Sequence, residues 1–137
     1  MVRRMKTGEF KIVAELLRRM SGEQEQTLGK ATATSPERAM VMAHEVFVAE
    51  GEGALVGACL ASAGADGTGE VSWVFVEAGW RRRGLGQKLV EAAMAYLAVD
   101  RQCKAVRVYV VEGNKVAEKL YETLGFRRMG SVWEVRS

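Results

Sequence analysis

The sequence predicts an α/β fold, in which a mixed central sheet of six to seven strands is flanked by about four helices. Segments rich in β-branched and aromatic residues alternate with segments whose apolar residues recur at helical spacing. In the second half of the chain helices and strands follow one another in turn, which favours a sheet with parallel as well as antiparallel neighbours. The chain has 137 residues and 48% of them are hydrophobic, so we expect a single domain over residues 1–137 with its own core.

Three strands and two helices are predicted in the first half of the chain. The apolar spacing indicates a helix capped by Thr7, whereas the small and polar residues 21–34 are predicted to form a loop. Ser35 followed by Pro36 is typical of a helix N-terminus, and this second helix is expected to end near His44. In order, the elements cover residues 2–5 (strand), 8–20 (helix), 35–44 (helix), 46–49 (strand) and 55–60 (strand), the last two forming an antiparallel hairpin.

The second half of the chain is predicted to begin with a central strand, because both faces of residues 70–77 are apolar. Residues 84–98 have one apolar face at helical spacing, and Gly125 is suited to end the helix after that. In order, the elements are strand 70–77, helix 84–98, strand 105–111, helix 115–124 and a final strand pair, 126–129 with 132–135.

The composition excludes several classes of protein. Two cysteines are too few for a disulfide scaffold, and with a single histidine they do not favour a metal centre built from His and Cys ligands. No uncharged apolar run approaches the roughly 20 residues that cross a bilayer, and the N-terminus lacks the apolar segment of a signal peptide. We therefore expect a cytoplasmic protein with no metal site and no membrane association.

Positive charge is concentrated in residues 78–104, although the net charge of the chain is only +3. The charged residues of this segment are Arg81, Arg82, Arg83, Lys88, Arg101 and Lys104, against Glu91 and Asp100. Such a patch suits a polyanionic ligand, from a nucleotide cofactor to nucleic acid, and a plain solvated surface is the alternative. Because the patch is short and lacks interleaved aromatic residues, a nucleic-acid partner is not expected.

The motif Arg81-Arg82-Arg83-Gly84-Leu85-Gly86-Gln87 follows the apolar central strand and opens an amphipathic helix. The first N–H groups of a helix lack internal partners and carry the positive end of the helix dipole, so they attract anions. Glycines there allow a phosphate to approach the backbone closely. No Gly-Lys-Ser/Thr follows, and Leu89 stands where a dinucleotide fingerprint needs a third glycine. The motif indicates an anion site of another type, or a tightly packed helix start.

A second motif follows the next predicted strand. It runs from Asn114 to Phe126 and has the form Asn-x-x-Ala-x-x-Leu-Tyr-x-x-x-Gly-Phe. In this order and separation, the two motifs resemble those of the GNAT superfamily of N-acetyltransferases, over roughly residues 45–136. Two positions depart from the family pattern. Ala78 stands where proline is frequent, and Tyr109 stands where branches that acetylate protein N-termini often have glutamate. The matching positions are Arg81, Gly84, Gly86, Asn114, Ala117, Leu120, Tyr121, Gly125 and Phe126.

The resemblance implies the acyl-CoA N-acyltransferase (GNAT) fold and transfer of an acetyl group from acetyl-CoA to a primary amine, by direct attack in a ternary complex. It implies that backbone groups of residues 74–76 bind the pantetheine arm and that backbone N–H groups of residues 82–87 bind the pyrophosphate. Asn114 would bind pantetheine or position its loop, and the Tyr121 hydroxyl would point at the sulfur. The implied cofactor-binding residues are Val74, Phe75, Val76, Arg81, Arg82, Arg83, Gly84, Leu85, Gly86, Gln87, Asn114 and Tyr121.

Acetyl transfer to an ammonium group needs a base to take its proton, and a proton donor for the leaving thiolate. Tyr121 is the candidate acid. Glu70 is the candidate base, because it heads the central strand, where the histone-acetylating branch of the family carries its glutamate. A plain strand-end charge is the alternative reading of Glu70. On a regular strand Glu70, Ser72, Val74 and Val76 would share one face.

Other candidate groups are weaker. Glu77 and Glu112 are alternatives for the base, whereas His44 lies at a predicted helix end, where a solvated or capping role is expected. Cys59 lies within an apolar strand and Cys103 has no histidine nearby in sequence, so neither is expected to act as a nucleophile.

Two further functions are open at the level of the sequence. The first is a catalytically silent acyl-CoA-binding or regulatory module of the same fold, against which the presence of both Asn114 and Tyr121 favours an enzyme. The second is the nucleic-acid binder, whose affinity would depend steeply on salt. The acceptor is expected to be a small-molecule or peptide amine of unspecified identity, and both a monomer and a homodimer are compatible with the sequence.

Overall fold

A mixed sheet of seven strands lies at the centre of the computed structural model, which describes residues 1–28 and 34–136. The order across the sheet is β1-β2-β3-β4-β5-β7-β6, and within the described residues only β4 and β5 are parallel neighbours. In chain order the strands are β1 (Val2–Arg4), β2 (Glu45–Gly51), β3 (Ala54–Ala63), β4 (Thr68–Val76), β5 (Ala105–Tyr109), β6 (Arg127–Met129) and β7 (Val132–Arg136).

Helices cover both faces of the sheet, and the sheet separates two buried clusters of side chains. The helices are α1 (Phe10–Leu28), α2 (Pro36–Met42), α3 (Leu85–Ala95), which a π turn over Tyr96–Asp100 continues, and α4 (Lys115–Thr123). On the α1 face, Val13 and Leu17 pack against Val48 and Leu60 of the sheet. On the α3 face, the buried residues include Leu89, Val90, Leu97, Tyr121 and Trp133. No helix in the described parts of the chain is long and apolar enough to cross a bilayer.

The predicted α/β class with six to seven strands and about four helices is confirmed, since the described residues form seven strands and four α-helices. Ser35 is confirmed as a helix cap, because its Oγ accepts from the Arg38 N–H at 3.2 Å. Thr7 is not a cap: it begins a 3-10 turn, and the Glu9 carboxylate accepts from the Lys6 N–H at 2.8 Å. The second helix ends at Met42.

Residues 21–28 were predicted to belong to a loop, and this prediction was wrong because they form the last part of α1. The segment contains glutamate and glutamine, which are good helix formers, and its polar composition does not distinguish an exposed helix from a loop. The rest of the predicted loop includes residues 29–33, which lie outside the described residues.

His44 has a structural role, since its Nδ1 accepts from the Ala63 N–H at 3.0 Å.

A β-bulge interrupts β4 in its middle. Leu60 of β3 pairs with Ser72, but Ala58 pairs with Phe75, so β4 has one residue more than its partner between these pairs. Trp73 has a φ of +54°, a left-handed conformation that is rare for a residue with a side chain. A bulge of this kind shifts the alternation of side chains along the strand, so the residues before and after it point to faces that a regular strand would not give them.

The two parallel strands β4 and β5 separate soon after they begin. Their register pairs run only from Thr68–Ala105 to Glu70–Arg107, whereas β4 continues to Val76. Beyond Glu70, the edge of β4 that faces β5 therefore has no paired strand among the described residues. The sheet opens there into a cleft between the two strands, with α3 and α4 on one side of it.

Candidate functional site

The N-terminus of α3 offers unpaired backbone N–H groups. Gly84 stands at the N-cap with a φ of +80°, a conformation that glycine adopts without strain. The first bond of the helix runs from the Lys88 N–H to the Gly84 carbonyl at 3.1 Å. The N–H groups of Leu85, Gly86 and Gln87 precede this bond and have no acceptor inside the helix. Since glycine has no side chain to cap them, these groups are free for an anion.

Gly86 lies where α3, β4 and α4 meet. A Cβ built on Gly86 would be 3.9 Å from Val76 Cγ2 and 4.0 Å from Leu120 Cδ2, which are ordinary contact distances. The fold therefore leaves room for a methyl group at Gly86, and close packing within the protein does not account for glycine there. The predicted anion motif, the end of the central strand and the second motif are thus brought together.

The three consecutive arginines of the loop before α3 have different surroundings. The Arg81 Nε donates to the Val76 carbonyl at 2.7 Å, and its Nη2 donates to Glu23 of α1 at 2.6 Å. Arg81 therefore ties the loop to β4 and α1, although the sequence placed it among the cofactor-binding residues. Arg82 is exposed and has a φ of +65°. The Arg83 guanidinium lies over the Trp80 ring, 4.6 Å from its centroid.

Glu70 lies on the α1 face of the sheet, where the cleft begins. Val71 next to it packs in the α3-side cluster, and so do Val74 and Val76 beyond the bulge. The prediction that Glu70 and Ser72 share a face with Val74 and Val76 was therefore wrong, because the bulge at residue 73 reverses the alternation.

The carboxyl group of Glu70 is half-buried, and burial raises its pKa above the ordinary value for glutamate. No cation pairs with it among the described residues, because Arg107, its register neighbour on β5, donates to Glu134 at 2.9 Å. Glu70 lines a pocket of about 200 Å³, whose other polar lining residues are Ser62, Asp66, Thr68, Arg107 and Tyr109.

Tyr121 of α4 is 6% exposed, and its ring packs edge-to-face on Phe126 with centroids 5.4 Å apart. Burial, and to a smaller extent the neighbouring Cys59, raise the pKa of the phenol well above its ordinary value. No hydrogen bond from the described residues reaches the hydroxyl, and its oxygen is not fully enclosed. The hydroxyl is therefore protonated at neutral pH and available as a donor.

Asn114 caps α4, since its Oδ1 accepts from the Ala117 N–H at 3.2 Å. This contact positions the loop before α4, one of the two roles that the sequence suggested.

Cys59 is fully buried, and its Sγ donates to the Leu89 carbonyl at 3.5 Å. Burial raises the pKa of this thiol to about 12. A thiol in this environment is a poor nucleophile.

Sequence reasoning did not find the bulge at Trp73 or the packing of Trp80 on Gly51, where a Cβ would lie 2.6 Å from the indole ring. A glycine at the end of a strand and a tryptophan beside three arginines are the only local signals of that contact. The contact itself joins residues 29 positions apart, which no local pattern encodes.

Known acetyltransferases are similar to this chain in sequence and in fold. A mycothiol acetyltransferase from Thermomonospora curvata is 40% identical over 83 residues, which are 61% of this chain and 28% of that protein. A GNAT-family acetyltransferase from Staphylococcus aureus has the same fold, with a TM-score of 0.80 at 11% identity over 99% of this chain and 98% of the other. An N-acetyltransferase from Thermoplasma acidophilum, solved in complex with coenzyme A, has a TM-score of 0.78 at 15% identity over 100% of this chain and 98% of the other.

The extent of these matches differs between sequence and fold. The chain spans about a third or less of the length of the curated relatives that it matches in sequence. The model of the acetyltransferase (GNAT) family matches residues 11–126, which is most of the chain. The two solved structures share the fold over nearly the whole length of both chains. The chain therefore belongs to the GNAT family of acetyltransferases.

Proposed function

We propose that the protein transfers an acetyl group from acetyl-CoA to a primary amine, by direct attack of the amine in a ternary complex. The observation that carries this proposal is the continuity of two recognition surfaces. The unpaired edge of β4 can bind an extended arm as an added strand would, and it leads to the open N-terminus of α3, which can bind a phosphate group.

The residues present fit the cofactor. Bound acetyl-CoA would supply the thioester whose acetyl group is transferred. Residues 74–76 would bind its pantetheine arm through their backbone, although the Val76 carbonyl already accepts from Arg81. The N–H groups of Leu85, Gly86 and Gln87 would bind the pyrophosphate, and the absence of a side chain at Gly86 would allow the close approach.

Glu70 would act as the general base. An alkyl ammonium has a pKa of about 10, so it must lose a proton before its nitrogen can attack. The raised pKa of Glu70 brings its basicity closer to that of the amine. The pocket around Glu70 opens on the α1 face, and the pantetheine arm would lie along the edge of β4, so acceptor and cofactor would enter by different routes.

Tyr121 would donate a hydrogen bond to the departing sulfur. Its raised pKa makes complete proton transfer to a thiolate unfavourable, because the phenol is a weaker acid than a thiol of pKa about 8.5. A neutral donor in a buried position still stabilises the negative charge that develops on sulfur. The acceptor that we propose is a small-molecule or peptide amine, in line with the name of a similar protein from Sus scrofa, a thialysine N-epsilon-acetyltransferase.

Binding of acetyl-CoA should stabilise the folded protein. At about 100 times its dissociation constant, a ligand that binds only the native state adds about 2.7 kcal/mol to the free energy of unfolding. For a domain of this size the melting temperature should rise by about 5–10 °C, measured by scanning calorimetry. Adenosine at the same concentration, which lacks both phosphates and pantetheine, is the control. No shift at millimolar acetyl-CoA would refute the proposed function.

Turnover separates the enzyme from a silent acyl-CoA-binding module. The protein with acetyl-CoA should release thiol when amines are added, and a panel of diamines, amino sugars, amino acids and lysine peptides would identify the acceptor class. Thiol release with at least one of these supports the enzyme. A thermal shift without turnover on any amine would support the silent module instead.

Substitution of Gly86 should separate cofactor binding from folding. In Gly86→Val the branched side chain would project toward the space that the pyrophosphate needs, and the dissociation constant for CoA should rise by at least about tenfold, equivalent to about 1.4 kcal/mol. The melting temperature should change little, because the first added carbon meets its neighbours at 3.9 Å or more. Gly8→Ala, at a glycine with open space around it and far from α3, is the matched control. Unchanged affinity in Gly86→Val would mean that the loop is only a helix start.

A further inference from the structure

We propose that Trp80 is a positioning residue for the cofactor's phosphates: it packs on Gly51 with one part of its ring and holds the Arg83 guanidinium at the N-terminus of α3. This inference rests on the proposed function, since the phosphate is that of CoA. The chemistry it assigns is recognition of a phosphate group, either the pyrophosphate or the 3′-phosphate of the nucleotide half.

Gly51 provides the surface on which Trp80 packs. A Cβ on Gly51 would lie 2.6 Å from both Cη2 and Cζ3 of the indole and 2.9 Å from its Cε3. These distances are too short for any side chain, so the ring occupies the space that a side chain at this position of β2 would take. Gly51 has no positive φ, so the reason for glycine here is the contact with Trp80 and not the backbone conformation.

Hydrogen bonds hold the loop in place at Trp80 and at the next residue, Arg81. The Trp80 N–H donates to the Glu77 carbonyl at 2.9 Å, and the indole joins the edge of the α3-side cluster. Arg81, the next residue, is bonded to β4 and α1. Two fixed points on neighbouring residues leave the backbone of this part of the loop little freedom, so the Trp80 ring is a rigid platform.

Arg83 is the arginine whose charge this platform holds in place. Its guanidinium lies 4.6 Å from the centroid of the Trp80 ring, within the range of a cation–π contact. The Arg81 guanidinium is occupied by a carboxylate and a carbonyl, and Arg83 immediately precedes the N-cap Gly84. A guanidinium that is already oriented loses less side-chain entropy when it binds a phosphate, which raises affinity without a new contact.

The test compares variants of this stack with ligands that carry or lack phosphates. Trp80→Ala and Gly51→Ala should each raise the dissociation constant for CoA by about three- to tenfold, the equivalent of one immobilised side chain. Arg83→Ala should raise it by about ten- to 100-fold. Adding Gly51→Ala to Trp80→Ala should have no further effect, because without the indole the methyl group displaces nothing. Trp80→Phe should recover most of the affinity, since it keeps a flat ring.

Isothermal titration calorimetry with CoA, 3′-dephospho-CoA and pantetheine distinguishes positioning from general destabilisation. If Arg83 binds the pyrophosphate, Trp80→Ala should also bind 3′-dephospho-CoA more weakly than the wild type does. If Arg83 binds the 3′-phosphate, the two proteins should bind 3′-dephospho-CoA equally. In both cases pantetheine binds all variants equally. Lys11→Ala, which removes an exposed charge on α1 outside the basic patch, controls for net charge and should leave the affinity unchanged.

Two outcomes overturn the inference. If Trp80→Ala binds pantetheine and CoA with equally reduced affinity, the tryptophan has a merely structural role. If both Trp80→Ala and Gly51→Ala bind CoA with wild-type affinity, Arg83 does not need the Trp80 ring to hold it in place. If the unmodified protein fails to bind CoA at all, the proposed function fails first, and this result is distinguishable because it appears before any variant is made.

Discussion

Replacement of Glu70 by glutamine is expected to lower kcat by about 10²–10⁴-fold, the usual range for a lost general base. Glutamine keeps the size and polarity of the side chain but cannot accept the proton of the ammonium. The pocket on the α1 face should therefore keep its shape, and the Michaelis constant for the amine should change much less than kcat. Steady-state kinetics with the acceptor identified from the panel measures both.

The same substitution should not weaken the fold. Burial raises the pKa of Glu70 in the folded state, so the folded protein holds this proton more tightly than the unfolded chain does. Stability associated with the protonated carboxyl is present below the unfolded pKa and is lost as the pH rises through the folded one. Glu70 is half-buried and no cation among the described residues pairs with it, so Glu70→Gln should unfold at the same or a higher denaturant concentration.

The pH dependence provides an independent check. The wild-type kcat should rise with pH as Glu70 loses its proton, with a midpoint above the ordinary pKa of glutamate, and this limb should be absent in Glu70→Gln. Glu112→Gln, at an exposed glutamate that the sequence also suggested, is the matched control and should behave as the wild type. Glu77 is less suited as a base because Arg19 forms an ion pair with it. A fully active Glu70→Gln would leave Glu70 as a plain strand-end charge.

The parts of this structure that the sequence predicts well are those that depend on local periodicity. Leu89 and Ala93 recur at helical spacing and are buried on α3, and the glycines that flank Leu85 lie where a helix N-terminus needs them. Both motifs are contiguous in sequence, so their positions relative to a strand and a helix follow from local order. Arg81 is an exception, because its partner Glu23 lies on a part of α1 that was predicted to be a loop.

The features that could not be predicted depend on contacts between distant segments. The bulge in β4 is a matter of register against β3, and nothing near Trp73 in the sequence distinguishes it from a regular strand residue. Its effect is large, because it moves Glu70 to the face of the sheet opposite Val74 and Val76. The carboxylate therefore lies on the face of the sheet from which we propose that the acceptor enters. The β4 backbone remains accessible to the cofactor from the other face.

Tyr121→Phe is expected to fold as the wild type does and to turn over about 10²–10³-fold more slowly, the usual effect of removing one donor to a charge that develops in the transition state. The ring should keep its edge-to-face contact with Phe126. No described residue hydrogen-bonds the hydroxyl, so its removal leaves no unpaired partner inside the protein. Thermal unfolding and the dissociation constant for acetyl-CoA should both stay close to the wild-type values.

The kinetic pattern matters more than the size of the loss. Because the hydroxyl would interact mainly with the departing sulfur, the substitution should lower kcat and kcat/KM together and leave KM for acetyl-CoA unchanged. The defect should also shrink with an acetyl thioester of a more acidic thiol, since a better leaving group needs less stabilisation of its charge. Phe126→Leu, which disturbs the same aromatic pair but keeps the hydroxyl, separates loss of packing from loss of the donor. Full activity in Tyr121→Phe, or an equal defect in Phe126→Leu, would mean that the thiolate leaves without help from this phenol and that α4 contributes only its packing to the site.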